Sequence, residues 1–157
     1  MTVDLPADVA AACAPLFELL PITRAMGTLL SGAEQCTDVV RQVIAEPAVA
    51  PNPALVAGLW LFVDDLTRSH TVSQGIEGPT GAWWHGIMHR REGDFNNSLY
   101  WMARASGHPL LAEQPQLAPA ALVTAAGATG AANPPDLVRR QREEWVALFS
   151  WCARNRA

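Results

Sequence analysis

Apolar residues return at three- and four-residue intervals through almost the whole of this 157-residue chain, which is the spacing of one face of an α-helix. Val9, Cys13 and Leu16 form one such stripe, and another runs from Val138 to Cys152. No segment shows the strict apolar–polar alternation that is typical of strands. The pattern therefore predicts an all-α fold, a compact bundle of about six or seven helices in a single domain over residues 1–157.

Charge and composition exclude several classes of protein. Lysine and arginine total 11 against 15 aspartates and glutamates, for a net charge of −4, so no basic face for nucleic acid is expected. The longest apolar run, residues 54–63, is about half of what a membrane span requires. The N-terminal stretch carries an acid and no base, unlike a secretory signal, and the three cysteines fall among apolar residues rather than at metal-ligand spacing. We therefore expect a cytoplasmic protein that binds neither nucleic acid nor membrane, and its oligomeric state stays open.

The middle of the chain contains its most unusual predicted helix. A short helix is predicted over residues 22–30, and a long one from about Pro53 to Gln74. Residues 55–63 are apolar all round, which indicates burial on most sides, whereas residues 64–74 are mostly polar. A central helix whose second half is polar is not explained by core packing alone. Any functional site is therefore expected within residues 64–109. The segment over residues 117–135 is rich in Ala, Gly and Pro, and its sequence says the least about structure or function.

Three of the four histidines lie at the end of the long predicted helix or on the helix that follows it. His70 is close to the end of the long predicted helix, and His85 and His89 lie four residues apart on the next one, which places their rings on one face. Glu92 continues that face three residues after His89. These four side chains are the predicted metal ligands and catalytic groups, with zinc or iron as the expected ion. The same spacing also fits a metal-free histidine network that joins helices or serves as acid and base.

Aromatic residues are concentrated around these histidines, as in pockets for small ligands. Any single one of them is also typical of an ordinary hydrophobic core. The predicted pocket walls are Trp84, Tyr100 and Trp101.

Polar residues near the aromatic group complete the predicted site. Arg90 is expected to bind an anionic part of a substrate, or else to pair with Glu92 or Asp94. Asp94 and Asn97 are expected to hold the loop and the start of the following helix. His108 is expected to hydrogen bond to the last carbonyls of that helix.

A long string in this region resembles an uncharacterised family of bacterial and fungal proteins. Residues 84–101 read WHGIMHRREGDFNNSLYW and are similar to that family's phrase WHGIMHRREGDFxNSKYW. The strings SHTVSQ (69–74), GHP (107–109) and EEWVALFSWC (143–152) extend the resemblance. The chain departs from it in having Leu99 in place of Lys, and an Ala/Gly-rich stretch where an acidic and aromatic segment is expected. The resemblance implies no reaction.

Three functional hypotheses remain open from the sequence. The first is a small metal- or histidine-dependent enzyme that acts on a small molecule bearing an anionic group. The second is a binding module without turnover, for example one that holds haem between the aromatics with a histidine as axial ligand. The third is a structural or interaction protein with a buried histidine network.

Overall fold

The computed structural model describes residues 1–156, and every regular element in that range is a helix. The all-α prediction is confirmed, whereas the predicted count of six or seven helices is too low. Ala157, the last residue of the predicted domain, lies outside the described range. Within that range no helix combines the length and the apolar character needed to cross a membrane. The nine α-helices are α1 (Ala7–Leu19), α2 (Thr37–Ala45), α3 (Pro53–Phe62), α4 (Leu66–Ser73), α5 (Pro79–Glu92), α6 (Phe95–Ala105), α7 (Pro109–Glu113), α8 (Pro119–Gly127) and α9 (Pro135–Arg154).

The long helix predicted from Pro53 to Gln74 is two helices. α3 ends at Phe62, and Asp64 adopts a left-handed backbone conformation with φ of 63°, which a continuous right-handed helix cannot accommodate. The Asp65 side chain then accepts a hydrogen bond of 3.0 Å from the Arg68 backbone N–H and caps the start of α4. The polar half of the predicted helix is therefore a separate helix, whose axis is not bound to continue that of α3.

Two further differences account for the rest of the discrepancy between the predicted and the observed number of helices. The segment over residues 22–30 forms turns rather than a helix, with Met26 at a positive φ of 50°. The Ala/Gly/Pro-rich segment contains α8 despite its composition, and α7 lies just before that segment. Both helices begin at a proline, as do α3, α5 and α9, because proline's fixed φ and missing N–H are tolerated at the first helical position.

α3 runs through the centre of the core, as its uniformly apolar sequence predicts. Leu55 and Leu59 are fully buried, and the Trp145 indole of α9 donates a hydrogen bond of 2.8 Å to the Gly58 carbonyl. A Cβ atom added at Gly58 would lie 2.9 Å from the Trp84 ring of α5, so the absence of a side chain lets these helices approach closely. α3, α5 and α9 thus form the packed centre of the molecule.

α5 is buried along almost its whole length, from Gly81 to Arg91. Its crossing with α6 is close, because a Cβ added at Gly86 would lie 2.7 Å from the Met102 sulfur. The Ser98 hydroxyl of α6 donates a hydrogen bond of 2.6 Å to the Gly86 carbonyl. α5 is therefore held rigidly against its neighbours, which fixes the directions of its polar side chains.

Candidate metal centre

Three imidazole rings from two helices meet at one place. His70 lies on α4, and His85 and His89 lie one turn apart on α5, so the short link between the helices brings all three together. The ring centroids lie 4.7 Å apart for His70 and His85, 4.8 Å for His85 and His89, and 5.5 Å for His70 and His89. One ring nitrogen from each histidine lies within 4.8 Å of the others.

This arrangement is close to what one metal ion requires. Nitrogen ligands at about 2.0–2.1 Å around a tetrahedral ion lie about 3.4 Å from one another. Ring nitrogens that lie up to 4.8 Å apart would therefore move closer together to bind a common ion. His85 and His89 are only 5% and 7% exposed, so the cluster is largely protected from bulk water, and its two α5 members are carried by a rigid helix.

Glu92 orients the ring of His89. The His89 Nδ1–H donates to Glu92 Oε1 over 2.5 Å, and because a carboxylate only accepts hydrogen bonds, this contact leaves the Nε2 lone pair free for a ligand bond. The Glu92 side chain is 41% exposed, and together with Asp94 it forms a second group of potential ligand atoms around His89. Of the two roles considered for Glu92, the observed contact corresponds to positioning the ring.

The His85 ring is held flat against Trp101 of α6. The two ring centroids are 3.9 Å apart and the planes differ by 13°, which is a stacked arrangement. Burial, followed by the proximity of His89 and His70, lowers the pKa of His85 to about 4. The ring is consequently neutral near pH 7, which is the form that can donate a lone pair to a metal.

A cleft of about 510 Å³ opens beside the cluster. It lies between the end of α4, the link to α5, the first turns of α5 and the outer part of α6. His85 and Trp101 are part of its wall, so a molecule in the cleft would contact one face of the histidine cluster. The wall also includes Gln74, Glu77, Ala82 and Arg104.

The structure places the predicted pocket residues in several different environments. Trp101 lines the cleft, and Tyr100 is 53% exposed and packs edge-on against it at 5.2 Å. Trp84 is fully buried in the core near Gly58, away from the cleft, because α5 turns that side of the helix towards α3. Asp94 caps α6 by accepting a hydrogen bond of 3.3 Å from the Asn97 N–H, as predicted.

The structure assigns Arg90 to the core rather than to a ligand. Its side chain is 1% exposed, and Nη1 lies 2.7 Å from Glu144 Oε2 on α9. Glu144 also accepts a hydrogen bond of 2.9 Å from the Trp83 indole. The alternative pairing with Glu92 or Asp94 is not observed, because Glu144 is the acidic partner of Arg90. A guanidinium buried in this way cannot reach a molecule in the cleft.

His108 is separate from the cluster. Its Nδ1 accepts a hydrogen bond of 3.1 Å from the Leu110 N–H, so it caps the start of α7 rather than the end of α6 as predicted. The other ring nitrogen lies 2.9 Å from the Thr80 hydroxyl. Burial lowers the pKa of His108 to about 4.

Sequence reasoning missed Arg104, a charged residue in the wall of the cleft. It lies three and four residues after Trp101 and Tyr100 on α6, so helical spacing carries a signal for their proximity. Its Nη1 donates a hydrogen bond of 2.9 Å to the Tyr100 hydroxyl. Arg104 thus occupies the position by the cleft that was expected for Arg90.

Comparison of the chain with protein-family models, with curated proteins and with solved structures finds no match. The resemblance of residues 64–109 to an uncharacterised family therefore stays a prediction. What the centre can do follows from its own geometry and chemistry.

Proposed function

We propose that His70, His85 and His89 bind one divalent metal ion, zinc or iron, and that the chain is an enzyme acting on a small molecule in the adjoining cleft. The observation that carries this proposal is the convergence of three ring nitrogens within 4.8 Å of one another. Zinc and iron both accept imidazole nitrogen, and three protein ligands leave positions open for water or substrate.

The hydrogen bonds around the cluster support a ligand role over a purely structural one. Those made by histidine rings in residues 1–156 belong to His89 and His108. His70 and His85 point at each other and at His89 instead of at acceptors that would knit the helices together. A structural network stabilises a fold through satisfied hydrogen bonds, and of the three clustered histidines only His89 makes such bonds, to Glu92 and Asn97.

The surrounding residues have distinct roles in the proposed enzyme. Glu92 fixes the orientation of the His89 ring, and Trp101 fixes the plane of His85. A bound metal would supply Lewis acidity and lower the pKa of a water molecule at an open position. The cleft positions the substrate next to His85 and limits its contact with bulk water.

Metal analysis of the purified protein, incubated with zinc and then dialysed, tests the proposal. We expect about one metal ion per chain in the wild type. His85→Ala and His89→Ala should each lower metal affinity by more than the roughly 10–100-fold that loss of an orienting partner causes.

His108→Asn is the matched control, because asparagine keeps an acceptor for the Leu110 N–H while removing the one histidine outside the cluster. It should retain the full metal content. Wild-type protein without metal, or alanine variants that bind metal as well as the wild type, would contradict the proposal. A Soret band in the purified protein would instead support the haem-binding hypothesis.

A further inference from the structure

The cleft beside the histidine cluster carries one charged group of each sign. Arg104 lines it from α6, and Glu77 lines it from the link between α4 and α5. Both residues are exposed. His85 lines the same cleft, so a ligand that touches these charged groups can also reach the cluster. A volume of about 510 Å³ suits a small molecule.

Arg104 differs from the other arginines near the cluster in having no acidic partner. Arg68, Arg90 and Arg91 pair with Asp65, Glu144 and Asp64, respectively. Within residues 1–156, no carboxylate lies within 4.0 Å of the Arg104 guanidinium, which therefore keeps donors available for a ligand. This difference singles out Arg104 as the cation that a ligand can use.

Aromatic residues hold the Arg104 side chain in place. Besides the 2.9 Å hydrogen bond to the Tyr100 hydroxyl, its guanidinium carbon lies 5.2 Å from the Tyr100 ring centroid and 5.7 Å from that of Trp101. These are cation–π distances. Since the same Trp101 ring stacks on His85, one aromatic side chain connects the cation to the histidine cluster. A pre-positioned guanidinium loses less conformational entropy when it binds an anion.

We propose that the cleft binds a small monocarboxylic acid, with Arg104 pairing with the carboxylate and the rest of the molecule extending towards His85. Glu77 disfavours a second anionic group, because like charges repel, and it tolerates a neutral or cationic one. Arg104 is thus a specificity-determining residue. The proposal rests on the proposed function only in that the far end of the acid is expected to meet the metal.

Three four-carbon probes test this inference: butyrate, 4-aminobutyrate and succinate, which share a carboxylate and differ in the charge of the far end. Each is titrated into the full-length protein, with and without zinc, and binding is followed through the NMR shift of the Trp101 indole N–H. Butyrate and 4-aminobutyrate should bind, and succinate should bind more weakly. Arg104→Gln should weaken binding of the first two by about tenfold or more, as expected for loss of a charge-assisted hydrogen bond.

Two further variants make the test specific. Glu77→Gln should tighten binding of succinate relative to butyrate. Arg139→Gln, which removes an exposed arginine of α9 that faces Glu143 at 3.9 Å, should leave all three affinities unchanged. The inference is overturned if butyrate leaves the Trp101 signal unmoved, or if Arg104→Gln binds it as tightly as the wild type.

Metal content and carboxylate binding, both measured on the wild-type protein, separate this inference from the proposed function. Metal retained by a protein that binds no carboxylate contradicts the substrate assignment alone. Carboxylate binding that depends on Arg104 in a protein that takes up no metal contradicts the metal centre alone.

Discussion

His85 and His108 are both buried histidines whose pKa values are lowered to about 4, but their ring nitrogens face different surroundings. His108 uses one nitrogen to cap α7 and places the other beside Thr80, so both polar atoms of the ring serve the fold. His85 faces two other imidazoles and an aromatic ring. The spacing of His85 and His89 is local and could be read from the sequence, whereas the contact of His108 with Thr80 depends on how α5 and α7 pack.

His108 should make the protein less stable in acid. Its pKa is about 4 in the folded chain and near 6.5 in an unfolded one, so the unfolded chain takes up a proton first. The stabilisation is complete above pH 6.5 and is lost as the pH falls from 6.5 towards 4, at a slope of at most about 1.4 kcal/mol per pH unit. Urea unfolding of the wild type and of His108→Asn at pH 7 and pH 5 measures this contribution.

His108→Asn should lose less free energy of unfolding between pH 7 and pH 5 than the wild type. His85 titrates in the same range in both proteins, so their difference isolates His108. Equal losses in the two proteins would show that His108 does not carry the effect.

At the scale of elements, α5 presents different side chains to different neighbours. His85 and His89 face α4 and α6. Trp83 and Arg90 face Glu144 of α9. Arg91 pairs with Asp64, which follows the end of α3. The predicted helix and the shared face of its histidines were local features. The ion pair of Arg90 could not be predicted from local features, because its partner Glu144 lies 54 residues away. The acidic residues close to Arg90 in the sequence were the more obvious candidates. Similarly, an apolar pattern followed by polar residues gave no sign that α3 would end before Asp64.

Removing Glu144 should destabilise the contact between α5 and α9. Glu144→Ala leaves the Arg90 charge buried without a counter-charge and the Trp83 indole without its acceptor. We expect a loss of about 3–5 kcal/mol in the free energy of unfolding, measured in urea. Glu144→Gln, which keeps an acceptor for Trp83, should lose less.

The adjacent substitution Glu143→Ala is the control. Glu143 is exposed and its nitrogen–oxygen distance to Arg139 is 3.9 Å, so the expected change is within about 0.5 kcal/mol. Similar losses of unfolding free energy for Glu143→Ala and Glu144→Ala would show that the buried Arg90–Glu144 pair contributes no more to stability than the exposed Arg139–Glu143 pair.

At the scale of the whole molecule, the histidine cluster lies beside the core rather than within it. α3 and α9 hold α5 from one side through Gly58, Trp145 and Glu144, while α4 and α6 supply the remaining parts of the cluster and the cleft. Sites carried on rigid helices maintain their geometry better than sites on loops. The packing of the whole chain thus accounts for why three imidazoles can stay close together at the edge of a cleft.

X-ray absorption spectroscopy at the zinc edge of the zinc-loaded wild-type protein tests the central claim most directly, because it reports the ligands of the ion itself. We expect three imidazole nitrogens at about 2.0–2.1 Å, together with one or two further ligands such as water oxygen. A spectrum that contains no more than one imidazole, or oxygen ligands alone, would contradict a metal centre built by His70, His85 and His89.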